Sequence, residues 1–273
     1  RPTIILEASR HRVQSPCEHF LDCGGCDLLH VELSEQHRLA RAWLAEELDV
    51  DEERIDAVVP SPRSFGYRAL AKFVVTRGGT LGSYRRRSHD VVDMRGCVVH
   101  APEAEAIADA IRGALAAGET PEELRYVVVR ASLLEGRSLV IFVVRSIANA
   151  DETRRVALEI ARRDDVARVL LHENDGEGDA LLSAGAEELL VDRGALRERI
   201  GEIDQAIASS AFSQLNPLAA AELYRVVADA IDPVGKRVLD LYCGSGGIAL
   251  TLAKRGATRV VGVERSNAAI TAA

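Results

Sequence analysis

Apolar residues in the first third of the chain recur with two periods, one typical of a helix and one typical of strands. Residues 34–48 predict an amphipathic helix with Ser34 as its N-cap. Its apolar face consists of four residues at helical spacing: Leu39, Trp43, Leu44 and Leu48. The apolar segments 69–76 and 80–85 predict two strands that are joined by a hairpin turn at Gly78-Gly79.

The middle of the chain alternates between helical and strand patterns. In chain order these patterns predict a helix at 102–117, strands at 125–132 and 138–145, a helix at 151–163 and a strand at 167–172. Pro102 and Gly118 mark the two ends of the first of these helices. We therefore expect a central α+β domain with an antiparallel sheet.

The pattern changes after Phe212. A helix is predicted at 217–231, and it is followed by a strand at 237–241, a glycine-rich turn, a helix at 247–255 and a strand at 259–264. Continuous apolar strands that are separated by a helix are typical of a buried parallel sheet. This region therefore predicts the start of a Rossmann-like α/β domain, with 237–241 as a buried strand.

The composition is that of a globular protein with a local positive charge. The 273 residues carry a formal net charge of −8, and 47% of them are apolar. Neither a membrane-spanning run nor a secretory signal is visible, so we expect a cytoplasmic protein without a membrane partner. Residues 60–97 contain eight basic and two acidic residues. Such a segment fits either a solvated surface or a phosphate-binding surface, and the second interpretation selects Arg68, Lys72, Arg85, Arg86 and Arg87.

Three of the five cysteines, Cys17, Cys23 and Cys26, lie within ten residues of one another. In a long chain without a secretory signal, such a cluster is more typical of a metal site than of disulfides. Cys97 follows the basic segment and is the expected fourth ligand. Four thiolates suit either zinc or a [4Fe-4S] cluster, and the wide Cys-x5-Cys spacing favours the cluster. A structural disulfide is the remaining alternative.

The glycine-rich turn has the features of a nucleoside-cofactor site. Gly244 and Gly246 allow the backbone to approach a ligand at the end of the strand. Glu264 lies 20 residues after Gly244 and can hold both hydroxyls of an adenosine ribose. Asp240, near the end of the strand, can meet the cationic methionine part of S-adenosylmethionine. The turn is too short for the G-x-G-x-x-G pattern, so S-adenosylmethionine is favoured over a dinucleotide.

Taken together, these motifs resemble those of the RNA uracil-5-methyltransferases, most closely the iron–sulfur enzymes that modify 23S ribosomal RNA. Four elements carry the resemblance in the family's order: Cys17-x5-Cys23-Gly-Gly-Cys26 with Cys97, Phe65-Gly-Tyr67-Arg68, Phe212-Ser-Gln214-Leu-Asn216, and Val238–Gly247 with Glu264. They extend from residue 17 to residue 264, which is nearly the whole chain. Two positions depart from the common pattern, since many members have Asn at Gly247 and a basic residue at Leu70.

The resemblance implies base flipping and the transfer of a methyl group from S-adenosylmethionine to uracil C5. It assigns cofactor contacts to Gln214, Tyr242, Gly247 and Glu264, and a [4Fe-4S] cluster to the four cysteines. The family's nucleophilic cysteine is expected after Ala273, so the given piece is not expected to catalyse the reaction alone. Ribosomal RNA is the expected partner, with transfer RNA as the second candidate, and no obligate protein partner is expected.

The resemblance also divides the chain into three regions. Residues 1–33 are expected to be the end of a barrel plus the cysteine-rich iron–sulfur segment. Residues 34–205 are the central domain that contributes Cys97, and residues 206–273 begin the methyltransferase domain. Because two parallel strands do not form a stable open sheet, we expect the sequence to be a piece of a longer protein.

Two other functions stay open at this point. The first is a non-catalytic RNA-binding protein that keeps the cluster and the cofactor fold. The second is a zinc-bearing, dinucleotide-dependent oxidoreductase. The first would bind RNA without transferring a methyl group, and the second would bind NAD rather than S-adenosylmethionine.

Overall fold

The computed structural model describes residues 4–176, 181–182, 185–209 and 212–273. In these residues the α-helices are α1 (Leu33–Leu48), α2 (Pro102–Ala116), α3 (Asp151–Ile160), α4 (Pro217–Ile231), α5 (Gly247–Lys254) and α6 (Asn267–Ala272). The strands are β1 (Leu70–Val75), β2 (Leu81–Tyr84), β3 (Val91–Asp93), β4 (Leu124–Ala131), β5 (Ser138–Val144), β6 (Val166–Glu173), β7 (Glu187–Asp192), β8 (Arg197–Ile200), β9 (Ile203–Ala206), β10 (Arg237–Leu241) and β11 (Arg259–Val263). No helix of this described part is long and apolar enough to cross a membrane.

Seven of the described strands form one sheet in the order β3-β2-β1-β4-β5-β6-β7. The expectation of an antiparallel sheet is wrong for one pair, because β5 and β6 run parallel. Helix α3 connects these two strands and returns the chain to the end of the sheet where β5 begins. A short hairpin turn would instead make the two strands antiparallel. Every residue of β5 is buried, as is typical of a central strand that is covered on both faces.

The helix α2 covers one face of this sheet together with α3. Ala104, Ile107, Ala108, Ile111 and Leu115 are buried at helical spacing on α2, so its apolar stripe faces the sheet as the periodicity predicts. The opposite face of the sheet has its own apolar cluster, which includes Val128, Ile141 and Leu196.

The chain divides into two compact units. One unit contains the residues up to Pro60 together with Tyr84–Val92, and the other contains Ser61–Ser83 together with Asp93–Ala273. Helix α1 belongs to the first unit and begins at Leu33, with Glu32 rather than Ser34 at the N-cap position. On the apolar face of this helix, Trp43, Leu44 and Leu48 are 51%, 46% and 57% exposed.

The strands β10 and β11 are parallel and are connected by α5, which confirms the predicted β-α-β arrangement. Helix α5 packs on both strands and on α4. Strand β10 is nevertheless not buried as predicted, because Leu239 and Leu241 are 61% and 57% exposed. Its residues alternate in exposure, and the helices therefore cover only one of its faces.

The strands β8 and β9 form a hairpin that the sequence analysis missed. Both strands have four residues, and their polar residues outnumber the apolar ones. Gly201 has a φ of 62° in the two-residue turn between them. A glycine turn between two short alternating segments is a recognised hairpin signal and could have identified this element.

Candidate cofactor site and nucleotide pocket

The turn between β10 and α5 uses backbone conformations that few side chains favour. Tyr242, Gly244 and Gly246 have φ values of 64°, 57° and 80°, which lie in the left-handed region. Tyr242 adopts this conformation although it is not glycine, and its side chain is 91% exposed. Non-glycine residues in this region are enriched at ligand sites. The predicted cofactor residues of this turn therefore lie together at the carboxyl end of β10.

Glu264 follows β11 and holds this turn from the neighbouring strand. Its carboxylate accepts hydrogen bonds from the backbone N–H groups of Ser266 at 2.8 Å, Arg265 at 2.7 Å and Gly244 at 3.1 Å. These three donors stabilise the charged form, so the pKa of Glu264 is lower than its usual value. A carboxylate has about four acceptor sites, so one site is left for a ribose hydroxyl.

Asp240 has a polar atom without a partner beside the same turn. Its Oδ2 atom is buried and forms no hydrogen bond within the described structure. Burial raises the pKa of this carboxyl group, although the backbone N–H of Ala249 opposes the shift. An unpartnered buried carboxylate oxygen costs free energy, which a ligand with a donor or positive charge would recover. Asp240 and Glu264 therefore fit a ligand with a ribose at one end and a cation at the other.

Gly247 lies where the first turn of α5 meets the side chain of Tyr224 on α4. A Cβ atom at position 247 would lie 2.4 Å from the phenolic oxygen and 2.6 Å from the ring carbon that bears it. Burial and the charge of Asp240 raise the pKa of Tyr224. The asparagine that many similar enzymes have at this position does not fit here, because the tyrosine ring fills the space.

The β8–β9 hairpin contacts the glycine turn through a buried side chain. Gln205 on β9 donates from Nε2 to the carbonyl oxygen of Ser245 at 2.9 Å. The side chain of Lys254 near the end of α5 also bonds the carbonyl of Glu202 in the hairpin turn. These contacts fix the position of the turn relative to the hairpin, and the sequence analysis did not identify either of them.

A pocket that is partly open to solvent lies beside this contact. Its walls come from β1, β4, the β8–β9 hairpin, residues 206–208, residues 212–217 and Ser245. Gln214 and Phe212 of the F-x-Q-x-N element line it, so the structure brings that element and the glycine turn to one space, as the resemblance implies. Phe212 is 75% exposed, which leaves its ring available for stacking.

The F-x-Q-x-N element is held in place by bonds to its surroundings. The backbone N–H of Ala69 donates to the carbonyl of Leu215 at 2.8 Å. The Oδ1 atom of Asn216 accepts from the backbone N–H of Ala219 at 3.0 Å and so caps α4. Its Nδ2 atom donates to Ser61 at 3.0 Å. The asparagine of the element therefore has a structural role that its motif alone did not reveal.

Two of the predicted RNA-binding residues, Arg68 and Lys72, lie in the unit that contains the pocket. Arg68 lies just before β1, and Lys72 lies within it. Arg68 is half-buried and donates to the carbonyl of Leu70 at 3.1 Å. Lys72 is exposed, and its pKa is lowered by partial burial and by the charges of Arg130 and Arg68. The other three residues, Arg85, Arg86 and Arg87, lie in the first unit.

Arg85 and Arg86 form ion pairs within the cysteine-rich unit. Arg85 bonds Asp22 at 2.9 Å, and Arg86 bonds Asp27. Arg87 is exposed, with a φ of 57°. Residues 85–87 are thus bonded to the loop that carries Cys23 and Cys26. Two of these three arginines, which we expected to face RNA, already have acidic partners.

The four cysteines of the predicted cluster are divided between the two compact units. Cys17, Cys23 and Cys26 lie in the first unit, whereas Cys97 lies in the second. The backbone N–H of Gly25 donates to Cys23 Sγ at 3.3 Å. In the described residues, no group of three or more His, Cys, Asp or Glu side chains is arranged to hold a metal ion. The four-cysteine cluster therefore stays a prediction.

Cys97 has a partner that the sequence analysis missed. Its thiol is buried, and burial raises the pKa, but the hydrogen bond and charge of His100 outweigh this effect and lower it. The Nδ1 atom of His100 in turn lies 2.6 Å from Oε1 of Glu105 on α2. The chain Cys97–His100–Glu105 therefore stabilises a thiolate at this position.

Comparisons with known proteins show what the chain is similar to. The chain is 32% identical over 97% of its length to an uncharacterized RNA methyltransferase of Geobacter sulfurreducens. It is 30% identical over 98% of its length to the 23S rRNA (uracil(1939)-C(5))-methyltransferase RlmD of Nitrosospira multiformis, and 28% identical over 95% to that of Vibrio parahaemolyticus. No model of a protein family matches the chain.

A solved structure of similar fold is that of the Pyrococcus abyssi tRNA (uracil-54, C5)-methyltransferase in complex with S-adenosyl-L-homocysteine. The TM-score is 0.76 at 24% identity, and the match covers 98% of this chain and 62% of that chain. At this identity the likeness shows the fold alone. The sequence relatives confirm the resemblance: the chain is a homologue of RNA methyltransferases, among them the 23S rRNA uracil-C5-methyltransferases. It spans 57%, 61% and 58% of the Geobacter, Nitrosospira and Vibrio proteins.

Gly247→Ala is expected to lower the free energy of unfolding by ~1–3 kcal/mol, because the new methyl group overlaps the Tyr224 ring. Urea denaturation measures this loss. In a Tyr224→Leu background the same substitution should cost much less. Gly113→Ala on α2 is the matched control, since a Cβ there meets no atom within 4 Å. A loss at Gly247 that is the same in both backgrounds would contradict this explanation.

Glu264→Gln is expected to weaken S-adenosyl-L-homocysteine binding by about tenfold or more. The reason is that a glutamine amide has an NH2 donor where the carboxylate has its second hydrogen-bond acceptor. Isothermal titration calorimetry measures the affinity, with Glu222→Gln on the surface of α4 as the control. Because the folded pKa is lowered, the stabilisation by Glu264 is fully present above the usual pKa of 4.5 and is lost as the pH falls through the lowered value. Unchanged affinity in the variant would exclude Glu264 from the cofactor site.

Proposed function

We propose that the protein catalyses the S-adenosylmethionine-dependent methylation of uracil C5 in RNA, with 23S rRNA as the first candidate substrate and tRNA as the second. The observation that carries the proposal is the pocket that Gln214 of the F-x-Q-x-N element shares with Ser245 of the glycine turn. The names of the sequence relatives support this reaction and an RNA substrate.

The residues of the glycine turn have distinct proposed roles. S-adenosylmethionine supplies an electrophilic methyl group when it is bound. Glu264 accepts from one ribose hydroxyl with its remaining acceptor site, and Asp240 meets the charged methionine end with its unpartnered oxygen. Gly244 and Gly246 keep the surface of the turn free of side chains. Tyr242 and Gln214 are the further proposed contacts, one on each side of this surface.

The pocket is proposed to receive the target base. A base in a stack cannot reach a cofactor, so the nucleotide must flip out of its helix. Leu70, Ile200 and Ile207 give the pocket apolar walls that exclude water. Phe212 offers an exposed ring for stacking on the flipped base. Base flipping by this protein stays a prediction.

The reaction needs a nucleophile at C6 of the base, because C5 of an uncharged uracil is itself a poor nucleophile. None of the residues that line the described pocket is a cysteine. Burial and the charges of Asp240 and Glu264 raise the pKa of Cys243, which disfavours its thiolate. We therefore do not assign this role to Cys243, and the cysteine expected after Ala273 stays a prediction.

The test is methyl transfer by the full-length protein from radiolabelled S-adenosylmethionine to unmodified transcripts of 23S rRNA and tRNA, followed by digestion to nucleosides. The expected product is 5-methyluridine in the 23S transcript. Gln214→Ala should lower kcat/KM by about tenfold or more through the loss of a pocket hydrogen bond. Gln14→Ala, an exposed residue outside the pocket, is the matched control.

Three results would contradict the proposal in different ways. Label in tRNA alone would replace the first substrate by the second. RNA binding and S-adenosyl-L-homocysteine binding without label would favour the non-catalytic alternative. Binding of NAD in place of S-adenosyl-L-homocysteine would favour the dinucleotide-dependent alternative.

The [4Fe-4S] cluster is a separate proposal, supported by the cysteine spacing and by the Gly25 amide that donates to Cys23 Sγ. Protein purified without oxygen is expected to contain about four irons and four sulfides per chain. Cys97→Ser should lower this iron content, and Cys243→Ser should not. A colourless protein with one zinc would contradict the cluster, and a protein without bound metal would contradict any metal site at these cysteines.

A further inference from the structure

Arg130 is a buried cation inside the pocket that the sequence analysis did not identify. It lies on β4 opposite Leu70 of β1, and its side chain lines the pocket. The residue is only 6% exposed. Its Nη1 atom donates to the Ser213 hydroxyl at 3.0 Å, while its Nε atom is buried and has no hydrogen-bond partner among the described residues. Burial lowers the pKa of Arg130 to about 10, so the side chain is still charged at neutral pH.

No carboxylate in the described residues forms an ion pair with this charge. Glu198 is the other buried charged residue of the pocket, but its two oxygens accept from the backbone N–H groups of Leu133 at 2.7 Å and Arg199 at 2.9 Å. A buried charge without a counter-charge is costly. A pocket that retains such a charge is therefore suited to an anionic ligand.

Two more cations lie close to Arg130. Lys72 is two residues along β1 from Leu70, the partner of Arg130, so both side chains are on the same face of the sheet. Partial burial lowers the pKa of Lys72, and the charges of Arg130 and Arg68 lower it further, as expected for repulsion between Lys72 and each arginine. Within the described structure neither Arg68 nor Lys72 has an acidic partner. The three cations together make this face electropositive.

We propose that Arg130 binds a backbone phosphate of the nucleotide whose base enters the pocket. The inference depends on the proposed function only in taking RNA as the ligand. A carbonyl group of uracil would leave the buried charge of Arg130 uncompensated. A phosphate supplies both the negative charge and the oxygen acceptors that a guanidinium binds most strongly. Arg68 and Lys72 add attraction for the same strand.

The test measures binding of the intact protein to a fluorescent heptanucleotide that has a single uridine between adenosines. One version has only phosphodiester linkages, and the other has neutral methylphosphonate linkages on both sides of the uridine. Arg130→Gln is expected to weaken binding of the first RNA about tenfold and of the second less than about twofold. Arg145→Gln, exposed at the end of β5 and outside the pocket, should affect both RNAs equally.

An equal loss on both RNAs in Arg130→Gln would overturn the proposal, because the contact would then not be with these phosphates. Wild-type protein that binds both RNAs equally, or neither of them, would overturn it as well.

Thermal unfolding separates a ligand-binding role from a structural one. Arg130→Met removes the uncompensated buried charge, so it is expected to melt at the same or a higher temperature while it loses affinity for the phosphodiester RNA. A lower melting temperature in both Arg130→Met and Arg130→Gln, with weaker binding of both RNAs, would show a structural role and overturn the proposal.

The methylation assay distinguishes this inference from the proposed function. Suppose that the wild-type protein forms 5-methyluridine, but that Arg130→Gln weakens binding of the phosphodiester and methylphosphonate RNAs equally. This result would overturn the assignment of Arg130 and leave the proposed reaction standing. Phosphate-dependent binding through Arg130 without methylation would overturn the proposed reaction alone.

Discussion

The segment Phe212–Asn216 is bonded to the central sheet at two points, and the pocket depends on these bonds. The Leu215 carbonyl accepts from Ala69 at the start of β1, and the Ser213 hydroxyl accepts from Arg130 on β4. The last residue of the segment then caps α4, which fixes the direction in which the chain leaves the sheet. These bonds position an irregular segment from which Phe212 and Gln214 line the pocket.

The second wall of the pocket is fixed by the hydrogen bond between Gln205 and the carbonyl of Ser245. Glu264 holds the same glycine turn from the neighbouring strand. The proposed cofactor surface and the proposed base pocket thus share one boundary, and both are built from backbone groups with few degrees of freedom. Preorganisation of this kind lowers the entropic cost of bringing two reactants together.

Local signals were sufficient where the sequence prediction was correct. The bounds of α4 follow from Asn216 and Pro217, a capping residue followed by a residue suited to the first turn. The parallel pair β10 and β11 follows from two apolar segments on either side of a glycine turn and a helix. The motif residues of the cofactor site lie on these same elements, so their clustering could also be predicted.

The predictions failed where long-range contacts decide the outcome. The parallel pairing of β5 and β6 is a different kind of failure, because the predicted order of strand, helix and strand already favours a parallel pair. Arg130 stands in the apolar run of β4, where a charged residue is normally exposed, so burial there was not expected. The contact between Gly247 and Tyr224 joins two helices, and a single sequence carries no signal for it.

The most direct test of this account is a crystal structure of the protein with S-adenosyl-L-homocysteine. We predict the ribose at Glu264, the amino-acid end at Asp240 and the sulfur atom facing the pocket beside Gln214 and Ser245. A sulfur atom that faces away from this pocket, or a ligand bound elsewhere, would contradict the claim that methyl transfer takes place there.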